Sequence, residues 1–178
     1  MKSYDYEARI TWTGNTGEGT RRYESYGRDH EISHPDKPPV PASADPDFRG
    51  DPHRYSPEDL LVASLSGCHM LWYLHLCAEA GIVVTAYEDR ASGRMAVDGD
   101  GGRFREAVLR PAVVVELGSD LEGAIHLHEE AHRSCFIANS VSFAVRCEPT
   151  VEEAGSAGPG SQVGREEASS PPGTEAPE

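Results

Sequence analysis

From Leu60 to Ala78 the chain carries no Asp, Glu, Lys or Arg, and the only ionisable groups there are two thiols, two imidazoles and a tyrosine. Ser56 ahead of this stretch is a candidate N-cap, with Pro57 at the first helical position and Asp59 three residues after the cap, while Gly81 beyond it is a stop signal. The pattern predicts one helix, apolar round most of its circumference and therefore buried on more than one side. Cys68 falls at its middle.

Elsewhere the period shortens. Tyr4, Tyr6, Ala8, Ile10 and Trp12 alternate with Asp5, Glu7, Arg9 and Thr11, the two-residue period of a half-buried strand. Gly14 to Gly19 reads as a turn and Thr20 to Tyr26 as a returning strand, so the chain is expected to open with a hairpin. Residues 27–55 are polar, proline-rich and aperiodic, and are expected to form an ordered cover near the helix. After Gly81, a strand from Ile82 to about Met95 and another from Phe104 to Leu117 make a second hairpin across the turn at 98–102. Ser119-Asp120-Leu121-Glu122 is a capping box that opens a helix to about Ser134, Cys135 follows it, and Val141 to Val145 is a last strand. The class is α+β. From Glu152 onward Gly, Ser, Pro and Glu dominate, so residues 1–151 are expected to form one domain and residues 152–178 a disordered tail.

Composition narrows the setting. The length of 178 residues with 38% hydrophobic content suits a single domain with its own core. The longest apolar run is interrupted by Ser64, Ser66, Cys68, His69 and His75, and the first residues lack an apolar segment. Neither a membrane span nor a signal peptide is expected, and the cytoplasm is the default location. The formal charge is −14, and about −9 without the acidic tail, which argues against nucleic acid as a partner because phosphate binding calls for a basic footprint.

Cys68, Cys77, Cys135 and Cys147 match no zinc-ribbon or finger spacing, and without a secretory signal structural disulfides are not expected. Inert buried thiols or redox chemistry remain. One other motif competes: His128-Glu129-Glu130-Ala131-His132 fits H-E-x-x-H, in which two His one turn apart bind zinc and Glu serves as base. It lacks a third ligand placed by any recognised pattern, and its surroundings are polar. His69 and His75 read as hydrogen-bonded core imidazoles.

Tyr55-Ser56-Pro57-Glu58-Asp59-Leu60-Leu61 followed by Cys68, then Gly81-Ile82-Val83-Val84, His132-Arg133-Ser134-Cys135 and Ala138-Asn139-Ser140-Val141, resembles the OsmC/Ohr family of thiol-dependent peroxidases. Trp12 and Gly17-Glu18-Gly19-Thr20 agree with it. The resemblance implies an α+β fold in an intertwined homodimer, with curved antiparallel sheets around buried central helices and active sites at the dimer interface. It implies that Cys68 attacks an organic hydroperoxide, that Cys135 resolves the resulting sulfenic acid as a disulfide, and that a dithiol such as a dihydrolipoyl group restores both thiols. No cofactor or metal is implied. A buried Cys is active only as a thiolate, which needs a nearby cation. In the family an Arg held by the helix-start Glu supplies it, which assigns that role to Glu58; by itself Glu58 could simply favour the helix N-terminus. The arginine is out of register here: Arg49 is the nearest candidate, with Arg28 and Arg54 as alternatives. Cys77 and Cys147 are assigned to packing. A cleft walled by Leu61, Leu65, Leu71 and Trp72 is expected to take the alkyl group. The alternatives are a non-catalytic module of the same fold that binds a small apolar ligand, and a zinc hydrolase using His128, Glu129 and His132.

Overall fold

The computed structural model describes residues 2–99 and 101–155. Helix α1 spans Pro57–Glu79, where its caps put it. The Ser56 hydroxyl accepts from the Asp59 N–H (3.1 Å) and the Asp59 carboxylate accepts from the Ser56 N–H (2.9 Å), so two backbone donors at the helix start are satisfied reciprocally. At the other end Gly81 takes a left-handed φ of 72°, and the Ile82 N–H turns back to the Cys77 carbonyl (2.9 Å). Leu65, His69, Tyr73 and Cys77, spaced by four, form one buried stripe. Burial on several sides is not achieved by the chain alone, since Leu71 on another face is 64% exposed. By length and composition α1 could cross a membrane, but its buried stripe packs against the chain's own helix and sheets, as a core helix does.

Strand β1 (Arg9–Trp12) pairs antiparallel with β2 (His30–His34), and β2 with β3 (Lys37–Ala42). The opening hairpin therefore has a different second strand from the Thr20 to Tyr26 segment expected, and the proline-rich stretch read as an irregular cover supplies both β2 and β3. Residues 15–26 form turns because their side chains take the backbone instead: Asn15 Oδ1 accepts from the Gly17 and Gly19 N–H groups, and Thr16 donates to the Ser25 carbonyl. Gly14 closes this loop. Its carbonyl accepts from the Gly27 N–H (2.8 Å), and a Cβ at residue 14 would collide with the Gly27 carbonyl.

The second hairpin exists but is broken midway along both arms. Strands β4 (Val84–Asp89) and β5 (Ser92–Asp98) form the first arm, and β6 (Gly101–Leu109) and β7 (Pro111–Val115) the second, with β4 paired to β7 and β5 to β6. Asp89 fixes the break: one carboxylate oxygen accepts from the Arg110 N–H (2.7 Å) and the other from the Ser66 hydroxyl of α1 (2.6 Å). Helix α2 (Leu121–Ser134) follows, capped by Asp120 rather than Ser119. Strand β8 (Ala144–Cys147) then runs parallel to β6, and β9 (Thr150–Glu153) parallel to β7. The architecture is α+β, but two of its sheets are mixed rather than purely antiparallel. Glu152 and Glu153 lie in β9, so the ordered part passes the boundary expected at residue 151; the remainder of the expected tail, from residue 156, lies outside the described residues.

Two apolar clusters meet along α1. Tyr73 and Cys77 pack with Ile82, Val113, Val115 and the small residues Ala124 and Ala131 of α2, while Leu65 packs with Ala107 and Leu109. His69 lies one turn from each cluster, fully buried.

Candidate thiol redox site

Cys68 sits one residue before buried His69 and so at the edge of the packed stripe, half-buried. Cys135 reaches it from the other side of the chain. The last turn of α2 ends at Ser134, and Cys135 caps it in extended conformation, its backbone N–H donating to the His132 carbonyl (3.3 Å). A short helical turn at Ala138–Ser140 follows, from which the Ala138 N–H donates to Cys135 Sγ (3.4 Å). Trp72 of α1 packs edge-to-face on Phe136 (centroids 5.4 Å apart), holding this segment against the helix. Both thiols are free. Burial pushes the Cys135 thiol up to about 11; the Ala138 N–H opposes that shift, and the adjacent Cys68 side chain adds to it. The two cysteines singled out from the sequence, 67 positions apart, are thus brought together.

Glu58, in the first turn of α1, lines an open cavity of about 790 Å³ beside Tyr55, Val62, Ser66 and Phe104, and that cavity reaches Gly67, the neighbour of Cys68. Among the described residues the arginine on its wall is Arg90, which is paired with Glu88 (2.8 Å). None of the three expected arginines forms an ion pair with Glu58 among the described residues. Arg49 is exposed, at a left-handed φ of 68° after the turn Pro46–Phe48. Arg28 is stacked between Tyr23 and Tyr26 (4.1 and 4.2 Å to the ring centres), and Arg54 pairs with Asp51 (3.3 Å) and Asp29 (3.6 Å). Leu65, expected on the wall of an alkyl cleft, is closed into the core; Leu61, Leu71 and Trp72 remain partly or fully open beside Cys68.

A second cluster went unread in the sequence. His69 Nε2 and His128 Nδ1 share a hydrogen bond of 3.0 Å, and Cys147 Sγ lies 3.4 Å from the same His69 nitrogen. Tyr73 stacks on the His128 ring at 3.8 Å. Burial holds both imidazoles neutral, His69 down to about 4 and His128 to about 3, and drives the Cys147 thiol up to about 12. Cys147, expected to pack, thus packs against a buried imidazole. The legible signals were the four-residue spacing of His69 within the apolar stripe and the alternation Phe143, Val145, Cys147, which turns Cys147 inward. Glu129, the base of the H-E-x-x-H reading, instead pairs with His126 (3.6 Å) and is 70% exposed. Cys77 is buried beside Tyr73, the packing role expected of it.

An α+β chain with two neighbouring free thiols, one on the long helix α1 and one at the C-terminus of α2, has the make-up of a thiol-bearing protein of the OsmC type. The family model described as OsmC-like protein matches residues 50–150, and the chain belongs to that family. Among solved structures, an OsmC-like protein of unknown function from Vibrio cholerae is 32% identical, over 83% of this chain and 100% of that one, with a TM-score of 0.75. An organic hydroperoxide resistance protein from Elizabethkingia anophelis (20% identity, 86% of this chain and 100% of that one, TM-score 0.61) shares the fold. So does an organic hydroperoxide resistance protein OsmC from Legionella pneumophila (15%, 85% and 99%, 0.62). No curated protein matches.

Proposed function

We propose that the chain is a cysteine-based peroxidase that reduces organic hydroperoxides to alcohols. The observation that carries this reading is the proximity of Cys68 to Cys135, two free thiols from separate elements in a family that includes proteins named for organic hydroperoxide resistance. The Cys68 thiolate attacks the outer peroxide oxygen, the O–O bond breaks, and the alkoxide leaves as alcohol after taking a proton. Cys68 is now a sulfenic acid. The Cys135 sulfur displaces its hydroxyl as water, giving a disulfide before further oxidation can occur. An external dithiol, such as a dihydrolipoyl group, then takes the disulfide back to two thiols, itself becoming oxidised. Four free cysteines suit the cytoplasm, where thiols stay reduced.

Glu58 orients the arginine that stabilises the Cys68 thiolate. With Arg49 exposed and unpaired to Glu58 in the single chain, a second copy completes the site: every residue of β1 is exposed, including Ile10 and Trp12, and Leu71 of α1 is uncovered. A homodimer buries these surfaces and orders the arginine. The decisive experiment is a thiol count. One equivalent of cumene hydroperoxide consumes two thiols per chain, and peptide mapping finds Cys68 joined to Cys135 with Cys77 and Cys147 free. Cys68→Ser abolishes turnover, whereas Cys135→Ser reacts once and traps sulfenic acid at Cys68. An unreactive Cys68 would leave a ligand-binding module.

A further inference from the structure

Three elements far apart in sequence bring donors of one kind to one point. His69 Nε2 from α1, His128 Nδ1 from α2 and Cys147 Sγ from β8 all lie within 4.8 Å of one another, and two of the separations are 3.0 and 3.4 Å. A tetrahedral zinc ion with bonds of about 2.0 Å to nitrogen and about 2.3 Å to sulfur holds its ligands roughly 3.3 to 3.6 Å apart. The two separations from His69 match that spacing to within a few tenths of an ångström, and His128 Nδ1 and Cys147 Sγ stand no more than 4.8 Å apart. His69 is 0% and His128 2% exposed, so neither imidazole is a surface group gathered by chance.

We propose that His69, His128 and Cys147 form a zinc(II) site, distinct from the Cys68–Cys135 pair. Two imidazoles and a thiolate are a borderline-soft set that selects zinc over magnesium or calcium. His128 and Cys147 also line a cavity of about 550 Å³, and His132, one turn further along α2, lines the same cavity with a buried Nδ1 that has no partner. The fourth position is open to water from this cavity. On binding, the Cys147 proton leaves to solvent, and the proton shared between the two facing nitrogens moves to the outer nitrogen of its ring. The protein thereby acquires a pin joining α1, α2 and β8 one residue from Cys68.

The test uses the full chain, freed of metal and kept reduced, titrated with cobalt(II). One equivalent per chain should give a thiolate-to-cobalt charge-transfer band in the near ultraviolet that zinc then erases. Cys147→Ser should remove the band, His128→Gln should weaken binding by about tenfold or more, and the double variant Cys68→Ser, Cys135→Ser should keep it. No band at stoichiometric cobalt would overturn the site. So would a band that survives Cys147→Ser but disappears with Cys68 and Cys135. If Cys147→Ser does not fold, X-ray absorption on the zinc-loaded unsubstituted chain decides: one sulfur with two or three nitrogens supports the site, and two sulfurs or an oxygen-only shell rejects it.

Discussion

Trp72, one turn beyond Cys68 on α1, packs edge-to-face on Phe136, the residue that follows Cys135, with ring centres 5.4 Å apart. The pair ties the helix carrying Cys68 to the segment carrying Cys135. Edge-to-face pairs contribute about 0.5–1.5 kcal/mol beyond the area they bury. Phe136→Ala is therefore expected to slow disulfide closure by about threefold to tenfold while leaving the first, sulfenic-acid-forming step unchanged. Rapid-mixing kinetics that separate the two steps check this; equal slowing of both would show that Phe136 shapes the peroxide site instead.

The Cys135 thiol, pushed up to about 11 chiefly by burial, is almost wholly protonated at neutral pH. Because only the thiolate displaces the sulfenic hydroxyl, the closure rate should rise about tenfold per pH unit from neutrality towards that value. The sign follows from the raised pKa: below it, each added unit of pH raises the thiolate fraction. A closure rate that levels off below pH 9 would show that oxidation of Cys68 changes the surroundings of Cys135.

The parts of the molecule that were legible in the sequence are those governed by local rules. Helix α1 announces itself through Ser56, Pro57, Asp59 and Gly81, and each does in the structure what its type predicts. Strand β3 was hidden because Pro38, Pro39 and Pro41 read as loop, yet β3 is an edge strand whose register shifts opposite Pro38 and Pro39, and edges and irregularities are where a sheet tolerates proline. The break between β4 and β5 depends on Asp89 meeting Ser66 and Arg110, groups about twenty residues away on either side. Cys147 and His69 are 78 positions apart, and no short motif links them.

Leu61, Leu71 and Trp72 leave apolar surface open beside Cys68, with Leu71 64% exposed. An alkyl or aryl group that covers about 80 Å² of such surface gains about 2 kcal/mol at the usual coefficient. The kcat/KM for cumene hydroperoxide should therefore exceed that for hydrogen peroxide by tenfold or more, and Leu71→Ser should narrow the ratio. Equal efficiency for the two peroxides would place the reacting oxygen away from this face.

Asp89 carries the last expectation. Its two carboxylate oxygens accept from the Arg110 backbone and the Ser66 hydroxyl, so one side chain joins the broken hairpin to α1 two residues before Cys68. Hydrogen bonds to a charged group contribute about 1.5–3 kcal/mol where buried, and less here because the site is partly solvated. Asp89→Ala is expected to lower unfolding stability by about 1–2 kcal/mol, and Ser66→Ala by about 1 kcal/mol or less. In a double-mutant cycle followed by urea unfolding, the two changes should fall short of additivity because they remove one shared contact. Full additivity would mean that the Ser66 hydroxyl and Asp89 contribute independently, and that the break between β4 and β5 is held by its own backbone.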